Sequence, residues 1–111
     1  MAVVHVVLFQ FKSTAGADAV QKVCSAMLAL HGGCMHPTSQ KPYIQSVTGG
    51  TNNSPEPHQN GLTHGFVVQF DSTEDRDYYV NDDPVHQGFK DLAGPIIEKV
   101  CVLDYTAGVF E

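Results

Sequence analysis

Near its N-terminus the chain reads VVHVVLFQF, from Val3 to Phe11, and this run is apolar on both parities. Val3, His5, Val7, Phe9 and Phe11 fall on one parity; Val4, Val6, Leu8 and Gln10 fall on the other. Side chains alternate across a strand, so a strand with one wet face shows a polar residue at every second position. This segment does not. It has to lie inside a sheet that is covered on both faces. Helices of the same chain supply one cover, and something else must supply the other.

Downstream of this strand the period of the pattern changes. Val20, Val23, Cys24, Met27, Leu28 and His31 follow helical spacing from Ala17 onward. Ser13 or Thr14 is placed to cap this helix, Asp18 suits its first turn, and Gly32-Gly33 marks its stop. Residues Cys34 to Pro42 read as a loop, and Tyr43 to Thr48 as a modest strand. The stretch Gly49 to Gly61 (GGTNNSPEPHQNG) reads as a long polar loop of the kind that covers binding sites. Leu62 to Phe70 alternates cleanly as a strand, with Leu62, His64, Phe66, Val68 and Phe70 on one face and Thr63, Gly65, Val67 and Gln69 on the other. A helix capped by Asp71 or Ser72 follows, with Glu74 and Asp75 at the positive end of its dipole. Asn81 to Asp83 breaks it. Pro84 then opens a short helix capped by Asp83, with Val85, Phe89 and Leu92 expected inside and an end at Gly94-Pro95. Lys99 to Thr106 is the last strand.

Strand, helix, strand, strand, helix, strand is the order of a ferredoxin-like α+β fold: a four-stranded antiparallel sheet with helices on one face. The 111 residues, 42% of them hydrophobic, suffice for one domain over 1–111 and one core. The bare sheet face would expose Val4, Val6 and Leu8. Burying three such side chains is worth roughly 4–9 kcal/mol before opposing terms. Two sheets packed face to face, as a homodimer, are therefore expected.

Charge narrows the function. Twelve acidic residues against six basic ones give a formal net charge of -6. The basic residues stand singly, so neither a nucleic acid nor an anionic membrane surface is an expected partner. The apolar N-terminus has no basic leader or cleavage site and is too short to span a bilayer. Three cysteines form no disulfide framework, which fits a reduced, cytoplasmic chain. Phosphate-binding glycine loops, nucleophile elbows and dinucleotide fingerprints are absent from the sequence, so no cofactor is expected. His31, Cys34 and His36 superficially resemble a metal site, but no fourth ligand accompanies them, and none is assigned.

The chemistry-bearing residues are the histidines. His5 and His64 stand on apolar strand faces, and His86 opens the helix that should cover those faces. Imidazoles gathered in one cavity serve as general acid, base and oxyanion donor near neutral pH. Tyr78 and Tyr79 are adjacent and point different ways; whichever enters the core can assist His86 with a hydrogen bond. Phe9, Phe66, Val68 and Phe89 are the expected apolar walls for a small hydrophobic organic ligand. The rival reading is a non-catalytic stress or ligand-binding dimer whose core fills the same space.

VHVVLFQFK at the start, THGFVVQF in the third strand, PVHQGF in the late helix and PIIEKVCVLDY at the end together resemble the stress-responsive A/B barrel (Dabb) family. The resemblance covers nearly the whole chain. It implies a ferredoxin-like protomer that pairs into a dimeric α+β barrel. The family includes plant stress proteins and a plant polyketide cyclase that needs no cofactor. By analogy with that cyclase, His86 would be the acid-base residue, His5 and His64 would orient substrate, and Tyr79 or Tyr78 would assist an aldol-type ring closure of the lyase kind. Cys24, Ser25, Ala26 and Met27 stand where the cyclase has a first-helix tyrosine, so its substrate is not carried over.

Overall fold

The computed structural model describes residues 2–111. Strand β1 (Val3–Phe11) leads into helix α1 (Ala17–Gly33). Strands β2 (Ile44–Thr51) and β3 (His64–Phe70) follow, then helices α2 (Thr73–Asn81) and α3 (Pro84–Ala93). A short 3-10 turn, Gly94–Ile96, delivers the chain into β4 (Ile97–Tyr105). The sheet order is β2-β3-β1-β4 with every neighbour antiparallel, a ferredoxin-like α+β fold.

The strand that is apolar on both parities occupies an interior position, as its pattern requires. Its inward residues Val3, His5, Val7 and Phe9 are buried. With Ile44, Phe66, Val68 and Phe70 they meet Val23, Met27 and Leu30 of α1, Tyr79 of α2, and Phe89 and Ala93 of α3. On the opposite face Val6 lies between Val67 and Leu103, Val4 is beside Tyr105, and Leu8 is beside Cys101. Among the described residues no helix covers this face, and Leu103 is 61% exposed.

Several local details differ from the sequence reading, each for a physical reason. Ser13 and Thr14 do not cap α1, because Ala15 N–H already closes a turn onto Lys12 O at 2.9 Å. The cap is Gly16, with no side-chain bond. The helix runs through both glycines and ends where Cys34 becomes extended at φ -79°. Strand β2 continues to Thr51, which shortens the polar loop. Ser72, rather than Asp71, caps α2 by accepting from Asp75 N–H. On α3 the buried stripe is His86, Phe89 and Ala93, while Val85 and Leu92 are 43% and 38% exposed. The stripe is rotated by one residue because the His86 ring finds a partner inside the fold.

Gly49 extends β2 across the ring of Phe66. A Cβ at this position would sit 2.2 Å from the ring and 2.8 Å from the Gly65 carbonyl oxygen, whereas one at Gly50 meets nothing within 4 Å. Gly49→Ala is expected to lower stability by about 1–3 kcal/mol in urea unfolding, the usual penalty for overpacking, with Gly50→Ala close to neutral. Equal effects of the two substitutions would show that the contact with Phe66 does not set the tolerance.

Candidate active site

The β1–β4 register builds the floor of a cleft. Phe9 pairs with Val100, Val7 with Val102, and His5 with Asp104. Successive rungs on one face therefore pass from apolar to charged. Helices α2 and α3 form the opposite wall, with Tyr79, His86, Phe89 and Ala93 facing the floor. The open cleft has a volume of about 590 Å³, within the usual range for small-molecule sites. Val100 and Val102 are more than half exposed because the helices leave this strip of β4 uncovered.

At the charged end, three side chains form a chain of hydrogen bonds. His5 Nδ1 lies 2.6 Å from Asp104 Oδ1, and Arg76 Nη1 donates to Asp104 Oδ2 at 2.9 Å. Arg76 Nε also donates to Asp77 at 2.8 Å. A carboxylate only accepts, so the His5 proton sits on Nδ1 and its Nε2 is left for other partners. Asp104 thereby fixes both the tautomer and the plane of the ring.

His86 is fixed by a different partner. Its Nδ1 lies 2.7 Å from the carbonyl oxygen of Tyr79. That oxygen has no proton to give, so Nδ1–H donates and the lone pair is on Nε2. The ring stacks on Tyr79 with centroids 3.8 Å apart and planes 14° from parallel. Burial lowers the His86 pKa to about 4, against the pull of the Tyr79 carbonyl, and Lys90 pushes it the same way as burial. At neutral pH His86 is therefore an uncharged base with a defined tautomer, the state a proton acceptor needs.

Tyr79 also stands edge-on to His5 at 5.8 Å, so it is the aromatic link between the two histidines. Burial pushes its phenol well above the usual range, which keeps it an O–H donor. Its hydroxyl is buried and has no hydrogen-bond partner among the described residues. Tyr78 is half-buried, and its ring meets Tyr43 edge-on at 5.7 Å instead.

Of the residues expected at the site, His5, His86, Tyr79, Phe9 and Phe89 line one cleft. His64 does not join them. It pairs with Phe9, whereas His5 pairs with Val68. Four residues along a strand separate the two histidines by about 13 Å. The His64 ring packs edge-on against Phe11 at 4.9 Å, and its Nδ1 meets Thr63 Oγ1 at 2.8 Å. Phe66 and Val68 are 3% and 0% exposed and belong to the core behind the cleft rather than to its walls. His31 Nε2 meets the Gln45 carbonyl oxygen, and His36 Nδ1 accepts from Thr38 and Ser39 N–H. Among the described residues no three metal-binding side chains converge.

The sequence reading left the orientation of Asp104 in the last strand open and missed Arg76, Asp77 and Lys90. The alternation Val100, Val102, Asp104 was visible, but its face depends on a register set by a shift between Gln10 and Phe11. Arg76 gave no sequence signal, because its partner lies 28 residues away on another element.

The depressed His86 pKa has a consequence for stability. The unfolded ring takes up a proton near 6.5 and the folded ring only near 4. Between these values the unfolded state binds more protons, so stability present above 6.5 is lost as pH falls towards 4. The loss from this group is on the order of 2 kcal/mol. Urea unfolding between pH 7 and pH 4.5 should show a shallower fall for His86→Gln, which retains a donor for the Tyr79 carbonyl and does not titrate. Parallel curves would contradict the burial of a neutral imidazole.

The model of the stress responsive A/B barrel domain (Dabb) matches residues 3–107. Among solved structures, a hydroxynitrile lyase from Passiflora edulis superposes with a TM-score of 0.83 at 23% identity, covering 99% of this chain and 97% of the other. A protein of Arabidopsis thaliana superposes at 0.82 with 25% identity, covering 98% of each chain. A dimeric ferredoxin-like protein of unknown function from Jannaschia sp. superposes at 0.77 with 16% identity, covering 96% of this chain and 100% of the other. No match was found among curated proteins.

Proposed function

The chain belongs to the stress responsive A/B barrel domain (Dabb) family, and from that membership we propose that its cleft binds a small, largely apolar organic molecule and acts on it by cofactor-independent acid-base chemistry. The observation that carries this reading is the neutral, tautomer-fixed His86 facing the same space as the Arg76–Asp104–His5 chain. The gradient along the floor names the ligand's shape. An apolar group lies along Phe9, Val7, Val100 and Val102, and an oxygen-bearing group reaches His5 and His86.

The reaction class is carbon–carbon bond making or breaking beside a carbonyl, of the lyase kind. His86 Nε2 takes the proton from a carbon next to the carbonyl. The electron pair released moves onto the carbonyl oxygen as an enolate. The Tyr79 hydroxyl, buried without a partner among the described residues, donates to that oxygen, and His5, held in place by Asp104, orients the substrate. The enolate carbon then attacks a second carbonyl, as in an aldol-type ring closure, and His86 returns its proton to the new alkoxide. Tyr79 keeps the His86 ring in plane, and its unpartnered hydroxyl gains from any ligand oxygen that reaches it. The hydroxynitrile lyase among its structural relatives fits this class. The open space beside His5 and His86 counts against a core filled by its own side chains.

A homodimer belongs to the same proposal. Val4, Val6, Leu8, Val67 and Leu103 form an apolar outer face, and the relative from Jannaschia sp. is dimeric. Among the described residues no helix is long and apolar enough to cross a membrane. Three free cysteines suit a reducing, cytoplasmic setting.

Native mass spectrometry of the protein after incubation with small-molecule extracts should detect a bound organic compound. Val102→Trp, which fills the cleft, should abolish the adduct. With a turned-over compound in hand, His86→Gln should lower kcat by about 10²–10⁴-fold and Asp104→Asn by about 10–100-fold through lost orientation. Retained turnover in His86→Gln overturns the acid-base assignment and leaves a binding protein. Sedimentation at micromolar concentration should show a dimer that Leu103→Glu dissociates; a wild-type monomer overturns the pairing.

A further inference from the structure

The deepest carboxylate in the fold lies outside the cleft. Asp83 is 1% exposed, although aspartate is rarely buried without partners. Its Oδ1 accepts from the N–H groups of Val85 at 2.9 Å and His86 at 3.4 Å, which caps α3. Its Oδ2 accepts from the Tyr43 hydroxyl at 2.5 Å. Its own N–H donates to the Tyr78 carbonyl oxygen at 2.9 Å. One residue thus joins the end of α2, the start of α3 and the chain entering β2.

Capping alone does not call for this arrangement. Ser72 caps α2 with one hydroxyl near the surface. At Asp83 a charge is buried, and its second oxygen reaches across to Tyr43. What is gained is a fixed position of the start of α3 relative to the sheet. His86 stands three residues into that helix, and its ring is held by a carbonyl of α2. The ring therefore points correctly only while the two helices keep their register across Asp82-Asp83.

We infer that Asp83 and Tyr43 are positioning residues for His86: the buried Tyr43–Asp83 hydrogen bond locks the start of α3 to the sheet and so sets where His86 Nε2 stands in the cleft. This deepens the proposed function and rests on His86 being the working base. Burial pushes the Tyr43 phenol up, and its bond to Asp83 pushes it further, so the hydroxyl remains a donor. Burial, with the Asp83 charge next in weight, pushes the Cys34 thiol up to about 12, so Cys34 stays neutral beside the carboxylate.

The test is nitrogen-15 NMR of the histidine rings in the full chain, with His86 assigned by its absence in His86→Gln. In the wild type the His86 Nδ1 proton should be protected and Nε2 unprotonated at pH 7. Tyr43→Phe removes only the cross-link. It should let the Nδ1 proton exchange with water about tenfold faster and mix the two tautomers, as expected when one buried hydrogen bond no longer opposes local opening. Asp83→Ser, which retains a cap and loses the reach to Tyr43, should do the same. Each of the two variants carries the test if the other fails to fold. An unchanged His86 exchange rate and tautomer in the folded variants overturns the inference, because a merely structural role lowers stability without altering the ring in the folded fraction. The readout needs no turnover. A catalytically silent His86 would sink the proposed function, while an unmoved ring would sink this inference alone.

Discussion

β1 carries the constraint on which the other elements depend. A strand apolar on both parities is stable only between two other strands and beneath a layer of helices. Its edges hold β3 and β4, so its inward residues fix what the helices can bury. The same antiparallel register brings His5 opposite Asp104 and lays the apolar rungs beside them. The core and the chemistry are thus two results of one pairing. A slip of β4 by one residue would turn Asp104 to the outer face and leave His5 buried without its acceptor, at the cost of an unmatched polar group.

The two histidines of the cleft are prepared in different ways. His5 is held by a carboxylate that is itself held by Arg76, which fixes the tautomer and the plane of the ring. His86 is held by a carbonyl and an aromatic stack in a buried place, which keeps it neutral. At His86 burial outweighs the hydrogen bond, and this supports its proposed role as the base.

Much of this was legible in the sequence, and what was not had physical reasons. The element order gave the ferredoxin-like sheet, because the change from period 2 to period 3.6 is a local signal. Pro84 after Asp83 marked the start of α3 correctly. His5, His86 and a tyrosine of the Tyr78-Tyr79 pair were visible as candidates, and helix direction alone decided in favour of Tyr79. His64 shares a sheet face with the core but not a location with His5, since face is a matter of parity and location a matter of register. Val85 and Leu92 looked buried because hydrophobicity was read without the Tyr79 carbonyl, which draws a histidine into the stripe in their place. Arg76 and Asp104 meet only through tertiary pairing, so no local pattern could have joined them.

Proton removal from carbon by a neutral His86 is the proposal on which the rest of the chemistry depends. The most direct measurement is deuterium incorporation at neutral pH, in heavy water, at the carbon beside the carbonyl of alkyl ketones and β-diketones small enough for the cleft. The wild-type protein should accelerate exchange for those compounds it binds, and His86→Gln should bind them without accelerating it. Binding with no acceleration by the wild type, or equal acceleration by both proteins, would contradict that proposal.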